Sequence, residues 1–187
     1  MAAEDTPRIS VLFDEATIAA RVEEIAREIA AAGMERLLVV AVLKGSFVFV
    51  ADLIRAMHRV GLKPEIEFLH LGSYGAGTVS SGKVEVLHDV KSDVTDRDIL
   101  LVDDILESGR TLVFARDRLK ARGARRVALA ALLDKPEKRV APIEADFRGF
   151  VCPDLFVIGY GMDMAHAYRQ LPFIGVVESD PAPGKED

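Results

Sequence analysis

Asp103 and Asp104 close an apolar run, Ile99-Leu100-Leu101-Val102, and a few residues later comes Glu107-Ser108-Gly109-Arg110-Thr111. Two adjacent carboxylates can accept hydrogen bonds from a vicinal pair of hydroxyls, directly or through a magnesium ion and its waters. Ser108, Gly109 and Thr111 open what reads as a helix, where free backbone N–H groups, the helix dipole and two hydroxyls converge on an anion. Gly109 lets the backbone approach that anion closely. The two halves together suit a sugar phosphate. Either half alone is commonplace, since Asp-Asp after a strand reads as a solvated turn and Ser-Gly-x-Thr as a helix cap. Between a buried strand and a helix they mark a site, because open α/β sheets bind ligands at the carboxyl ends of their strands.

Periodicity shows the elements that must position these residues. From about Asp14 to Ala32, Ile18, Val22, Ile25, Ala26 and Ile29 share one helical face, with Asp14 as N-cap and Gly33 as stop. Leu37 to Val42 reads as a continuous apolar strand, followed by Lys44-Gly45 and a helix from about Ser46 to Arg59 that closes at Gly61. Glu65 to Leu71 and Val84 to Leu87 read as strands, separated by a glycine- and serine-rich segment from Gly72 to Gly82. A helix to about Arg122, stopped by Gly123, then precedes strands at Val127 to Leu133 and Phe156 to Ile158. Strands alternating with helices predict an α/β fold, a parallel sheet covered on both faces. One domain over 1–187 accommodates it, and the proline- and charge-bearing tail, about 179–187, is expected to be disordered.

The chain has 187 residues, half of them apolar, and a net charge of −6. That balance argues against general nucleic-acid binding and against an anionic membrane surface, so an anionic substrate must be met by local lysines, arginines and metal. The single cysteine, Cys152, excludes an internal disulfide framework. Met1-Ala2-Ala3-Glu4-Asp5 lacks a cationic-then-apolar signal and no apolar run reaches membrane-spanning length, so a cytoplasmic protein is expected. His58, His70, His88 and His166 show no ligand spacing. Gly77-Thr78-Val79-Ser80-Ser81-Gly82-Lys83 approaches the phosphate loop of nucleotide triphosphatases. Val84 then follows without a hydroxyl for magnesium, and Lys83 to Leu87 alternates like a strand.

The stretch from Ile99 to Thr111 resembles the phosphoribosyl pyrophosphate motif of the type I phosphoribosyltransferases. Leu43-Lys44-Gly45-Ser46, Leu71-Gly72-Ser73-Tyr74, Leu132-Leu133-Asp134-Lys135 and Phe150 to Asp163 extend the resemblance to the branch that salvages hypoxanthine and other 6-oxopurines, from Leu37 to about Val177. The resemblance implies a core parallel sheet and a small hood made from the chain termini. It implies magnesium-dependent transfer of phosphoribose from phosphoribosyl pyrophosphate to hypoxanthine and guanine, giving IMP or GMP and pyrophosphate.

Carried over by position, Asp103 and Asp104 match the acidic pair at the ribose hydroxyls. Glu107, Ser108, Gly109, Arg110 and Thr111 match the loop over the base and the 5′-phosphate. Lys44 and Gly45 match the pyrophosphate loop, whose lysine often follows a cis peptide in this family. Lys135 matches the donor to the purine 6-oxygen, Phe156 the ring stacked on the base, and Val157 the backbone that reads its edge. Asp163 matches a magnesium ligand, beside Asp103 and Asp104, and Arg169 a pyrophosphate contact. The glycine-rich segment around Ser73 and Tyr74, substrate-binding residues by the same match, is a candidate lid to exclude water. Glu107 departs from the family, which has aspartate there. Its carboxylate is the candidate general base at N7, with one methylene more of reach.

Two other readings stay open. One is a non-catalytic nucleotide-binding regulator on the same fold, against which the acidic balance, Lys135 and Glu107 count. The other is a transferase for a different base, such as xanthine, adenine or orotate. Apart from substrates, the expected partner is a second copy, as homodimer or homotetramer, with neither nucleic acid nor membrane.

Overall fold

A computed structural model describes residues 7–73 and 84–178, Ser73 by its backbone only. Tyr74, most of the glycine- and serine-rich segment with its phosphate-loop pattern, and the tail 179–187 lie outside the described residues. The chain runs β1 (Ile9–Phe13), α1 (Glu15–Ala31), β2 (Leu38–Leu43), α2 (Phe47–Arg59), β3 (Glu65–Ser73), β4 (Val84–His88) and β5 (Asp98–Leu106). It continues with α3 (Arg110–Ala121), β6 (Arg126–Asp134), a 3₁₀ turn (Pro136–Lys138), β7 (Phe147–Val151), β8 (Val157–Ile158) and β9 (Ile174–Val177).

The main sheet has the order β4-β3-β2-β5-β6-β7, parallel except for β4, which pairs antiparallel with β3. The expected parallel core sheet is present, with β4 added as an antiparallel edge strand. Its central strands are buried on both faces, and the alternation of their side chains divides the core in two. Val39 and Ala41 of β2, with Leu100 and Val102 of β5, pack with α1 and α2. Leu38, Val40 and Val42, with Ile99 and Leu101, pack with α3. Leu53 of α2 is fully buried, so its truncation to alanine costs about 2–5 kcal/mol. Asp14 caps α1 as its type predicts, its carboxylate accepting from the Thr17 N–H at 2.8 Å.

A second, antiparallel sheet, β1-β9-β8, is built from segments near the two ends of the described chain and is the hood that the resemblance implies. Three strands were not legible in the sequence. β1 and β9 are short apolar runs that periodicity cannot type. In β7, Gly149 reads as a breaker. A Cβ there would overlap the Leu132 carbonyl oxygen, so the close passage of β7 over β6 requires glycine.

Candidate active site

Two parallel strands leave the sheet in opposite directions. From β2 the chain passes through α2 to β3 on one side, and from β5 it passes through α3 to β6 on the other, with the two helices on opposite faces. The carboxyl ends of β2 and β5 thus flank a topological switch point, where an open sheet leaves a crevice for ligand. β5 is longer than its apolar run. Its pairing with β2 stops at Val102, while its pairing with β6 continues through Asp103, Ile105 and Leu106. Asp103 and Asp104 are therefore inside the strand, not beyond its end. The sequence places the end too early because the two carboxylates break the apolar pattern.

A cleft of about 690 Å³ opens at this point. Lys44, Gly45, Asp104, Glu107, Lys135, Phe156, Val157, Asp163 and Arg169 line it, gathered from a span of more than a hundred residues. Asp103, Ser108, Gly109, Arg110 and Thr111 adjoin it in the chain without lining it. Ser73 follows Gly72, which lines the cleft, at the end of β3. Among the lining residues not singled out from the sequence are His70, Met162 and His166.

At one end, the peptide between Leu43 and Lys44 is cis and Lys44 is exposed. Gly45 lies against Asp104, and a Cβ on Gly161 would overlap the Gly45 carbonyl oxygen. Arg169 donates from Nη1 to the Gly161 carbonyl at 2.7 Å and pairs through Nη2 with Asp163 Oδ1 at 2.6 Å. Asp163 Oδ2 also accepts from the His166 N–H at 2.9 Å. At the centre, Asp103 is buried, and Oδ1 accepts from the Asp104 N–H at 3.0 Å. Burial, together with the negative charge of Asp104, pushes the Asp103 carboxyl well above the usual carboxylate range.

The far end is built for a polar, flat ligand. Lys135 is buried, its side chain 7% exposed, and Nζ donates to the Leu155 carbonyl at 2.8 Å and to Glu107 Oε1 at 3.3 Å. Glu107 is half exposed and forms the open wall. Val157 is buried in the hood, whereas the Phe156 ring is 60% exposed, an apolar face with room for a stacked partner. Beyond Glu107, Gly109 takes φ +79° and starts α3 without a side-chain cap, while Ser108 Oγ accepts weakly from the Arg110 N–H at 3.4 Å. The first turn of α3 thus presents amide donors to an anion.

Among the described residues no group of three or more acidic, histidine or cysteine side chains forms a closed metal site. The donor set still fits magnesium, which binds through one or two carboxylates, keeps its waters and takes its other oxygens from substrate phosphates. Asp103 and Asp104 form a like-charged pair and Asp163 presents a third carboxylate at the other wall. No helix of the described residues is long and apolar enough to cross a membrane.

The fold and this cleft define an α/β domain with a ligand crevice between a sheet's switch point and a hood. Residues 9–165 match the family described as "Phosphoribosyl transferase domain". The hypoxanthine phosphoribosyltransferase of Buchnera aphidicola is 41% identical over 172 residues, covering 90% of this chain and 96% of that protein. The hypoxanthine-guanine phosphoribosyltransferase of Bacillus subtilis is 42% identical over 169 residues, covering 90% and 92%. A bifunctional protein of Listeria innocua, TilS/HprT, is 44% identical over 171 residues, and there the chain spans only 26% of the relative's length. Among solved structures, a hypoxanthine-guanine phosphoribosyltransferase of Bacillus anthracis is similar with a TM-score of 0.85 and 39% identity, covering 92% of this chain and all of that one. This chain belongs to the phosphoribosyltransferase family, in its hypoxanthine branch.

Proposed function

We propose that the protein is a purine-salvage enzyme that transfers phosphoribose from phosphoribosyl pyrophosphate to hypoxanthine or guanine. The observation that carries this reading is the meeting of Lys135, Glu107 and Phe156 in one cleft with Lys44, Asp104, Asp163 and Arg169. One end offers a donor, a carboxylate and a ring for a base, and the other offers cations and carboxylates for a pyrophosphorylated sugar.

In the reaction the bond from C1′ to the pyrophosphate oxygen breaks and the bond from C1′ to the base nitrogen forms. The sugar passes through an oxocarbenium-like state, as in glycoside transfer, so stabilising the leaving group matters more than activating the nucleophile. Lys44 and Arg169 take up the charge that develops on pyrophosphate. Asp104, with Asp103 behind it, orients the ribose hydroxyls. Asp163 and the Asp103–Asp104 pair would hold magnesium, which would add charge neutralisation at the leaving group. Lys135 donates to the purine 6-oxygen, and Glu107 accepts the proton that the base loses at N7. The amide donors at the start of α3, with Ser108 and Thr111, hold the 5′-phosphate.

The chain acts as an oligomer in this reading. A solved hypoxanthine phosphoribosyl transferase of Trypanosoma cruzi, 34% identical with a TM-score of 0.86, is described in terms of its C-terminal region and oligomeric state. The test of function is an absorbance assay of the purified protein with each purine base, phosphoribosyl pyrophosphate and magnesium. Turnover of hypoxanthine and guanine is expected. Tight nucleotide binding without turnover of any base would favour the regulator instead.

A further inference from the structure

We propose that Arg139 is a positioning residue for this transfer, holding Glu107 and the phosphate loop in register with Lys135; the proposal rests on the roles just assigned to those residues. Arg139 lies in the charged run Glu137-Lys138-Arg139. Its side chain is only 16% exposed. Nε donates to the Glu107 carbonyl at 2.9 Å, Nη2 donates to the Leu106 carbonyl at 3.0 Å and pairs with the buried Asp134 carboxylate, and Nη1 donates to the Ile143 carbonyl at 2.6 Å. A guanidinium has five donors in a rigid fork, and here four of them are directed at fixed acceptors.

The rest of the same connection completes the grip. The Lys135 N–H donates to the Leu106 carbonyl at 3.0 Å, and the Val140 and Ala141 N–H groups both donate to the Ser108 carbonyl at 3.0 Å. Three successive carbonyls, those of Leu106, Glu107 and Ser108, are thus held by the segment between β6 and β7. That segment begins with Lys135. The residue that meets the base oxygen and the residue that meets its N7 are therefore tied to one frame, and Lys135 Nζ lies 3.3 Å from Glu107 Oε1. Contact continues into the phosphate loop. A Cβ on Gly109 would fall 3.2 Å from Arg139 Cδ and against Ile143 Cγ2.

Arg139→Lys separates position from charge. An ammonium still neutralises Asp134, which Arg148 also approaches at 3.2 Å, but it cannot reach the carbonyls of Leu106, Glu107 and Ile143 together. A displacement of about 1 Å in a catalytic group costs about 10²-fold in rate. The lysine variant should therefore keep its fold, shown by a cooperative thermal transition, and lose about 10- to 10²-fold in kcat. In the reverse reaction, its KM for the nucleoside monophosphate should rise several-fold while its KM for pyrophosphate stays unchanged. Pyrophosphate is read by Lys44 and Arg169 at the opposite end of the cleft, so a merely structural role would not produce that split. Arg139→Ala should lose more, and guanidinium ion added to it should restore part of kcat, which gives a second reading if the lysine variant does not fold. Wild-type kcat and KM values per folded molecule in the lysine variant, or no guanidinium rescue of the alanine variant, would overturn the proposal. Failure of the wild type to turn over any base would overturn the function instead, and the same assay shows it before any variant is compared.

Discussion

The Cα of Gly45 lies so close to the Asp104 carboxylate that a Cβ on Gly45 would overlap Oδ2. The loop after β2 and the strand β5 therefore touch across the switch point, which in the proposed reading joins the pyrophosphate side of the cleft to the ribose side. Gly161 makes the next contact, against the Gly45 carbonyl, at φ +101°. The two glycines differ in what a methyl group would meet.

Gly45→Ala meets the end of a side chain, which can turn aside. The variant should fold, with a thermal midpoint within a few degrees of wild type, and lose at least about tenfold in kcat/KM for phosphoribosyl pyrophosphate through the displaced carboxylate. Gly161→Ala meets a backbone oxygen at a φ that L residues avoid, so neither partner can yield cheaply. It should lower the midpoint by several degrees. Equal loss of stability in the two variants would sink the distinction.

Much of the site could be read in sequence because its residues stand at the ends of apolar strands, where chain order predicts geometry. Asp103 and Asp104 are legible this way, whereas Lys44 after β2 and Lys135 after β6 enter through the family resemblance. Lys135 itself proves buried, and its Nζ donates a hydrogen bond to the Leu155 carbonyl. No periodicity reports a contact across that distance in sequence. The same holds for Arg139, two of whose acceptors are backbone carbonyls more than thirty residues away, and for Tyr160, whose hydroxyl donates to Asp52 at 2.7 Å across the hood boundary. Backbone carbonyls carry no residue type, so sequence cannot mark them as partners.

Asp98 should govern part of the acid stability. Arg125 forks onto it, Nε to Oδ1 at 2.9 Å and Nη2 to Oδ2 at 2.8 Å, and the Glu35 N–H adds a bond at 2.8 Å. The Arg125 bonds foremost hold its carboxyl below the ordinary value of 3.8. A carboxylate with a depressed folded pKa stabilises fully above its unfolded value, and that stability is lost as pH falls through the folded one. The thermal midpoint should therefore drop steeply below about pH 4, and Asp98→Asn should lower it near neutrality while flattening the acid limb. An acid limb of unchanged slope in the variant would remove Asp98 from the account.

Asp163→Asn tests the metal assignment. Only a carboxylate supplies full charge to magnesium, and the same substitution releases Arg169 from its 2.6 Å pairing. Titrating magnesium at fixed phosphoribosyl pyrophosphate should show a higher concentration for half-maximal rate, with the thermal midpoint little changed. An unaltered magnesium dependence would leave Asp163 as a partner of Arg169 alone.

Glu107→Gln keeps the shape of the wall and removes the proton acceptor. If Glu107 takes the N7 proton, kcat should fall by about 10² to 10⁴. Glu107→Asp, which restores the residue usual in the family, should keep most of the activity. A loss of less than tenfold in the glutamine variant would make Glu107 a loop-orienting residue rather than a base.

In the proposed reaction the base is selected by Lys135. Its ammonium has donors and no acceptor, it is buried, and the Leu155 carbonyl and Glu107 fix its direction. A 6-oxygen satisfies it, whereas the 6-amino group of adenine would leave two donors facing each other beside a buried ammonium. Sites built around one hydrogen-bonded group reject the analogue lacking it by about 10⁴ or more, because the unpaired buried partner is costly. Hypoxanthine and guanine should therefore turn over and adenine should not, and Lys135→Ala should erode that ratio chiefly by losing the two oxopurines. Comparing kcat/KM for the three bases in both proteins decides it. Adenine within tenfold of hypoxanthine in the wild type would mean that Lys135 does not read the 6-position.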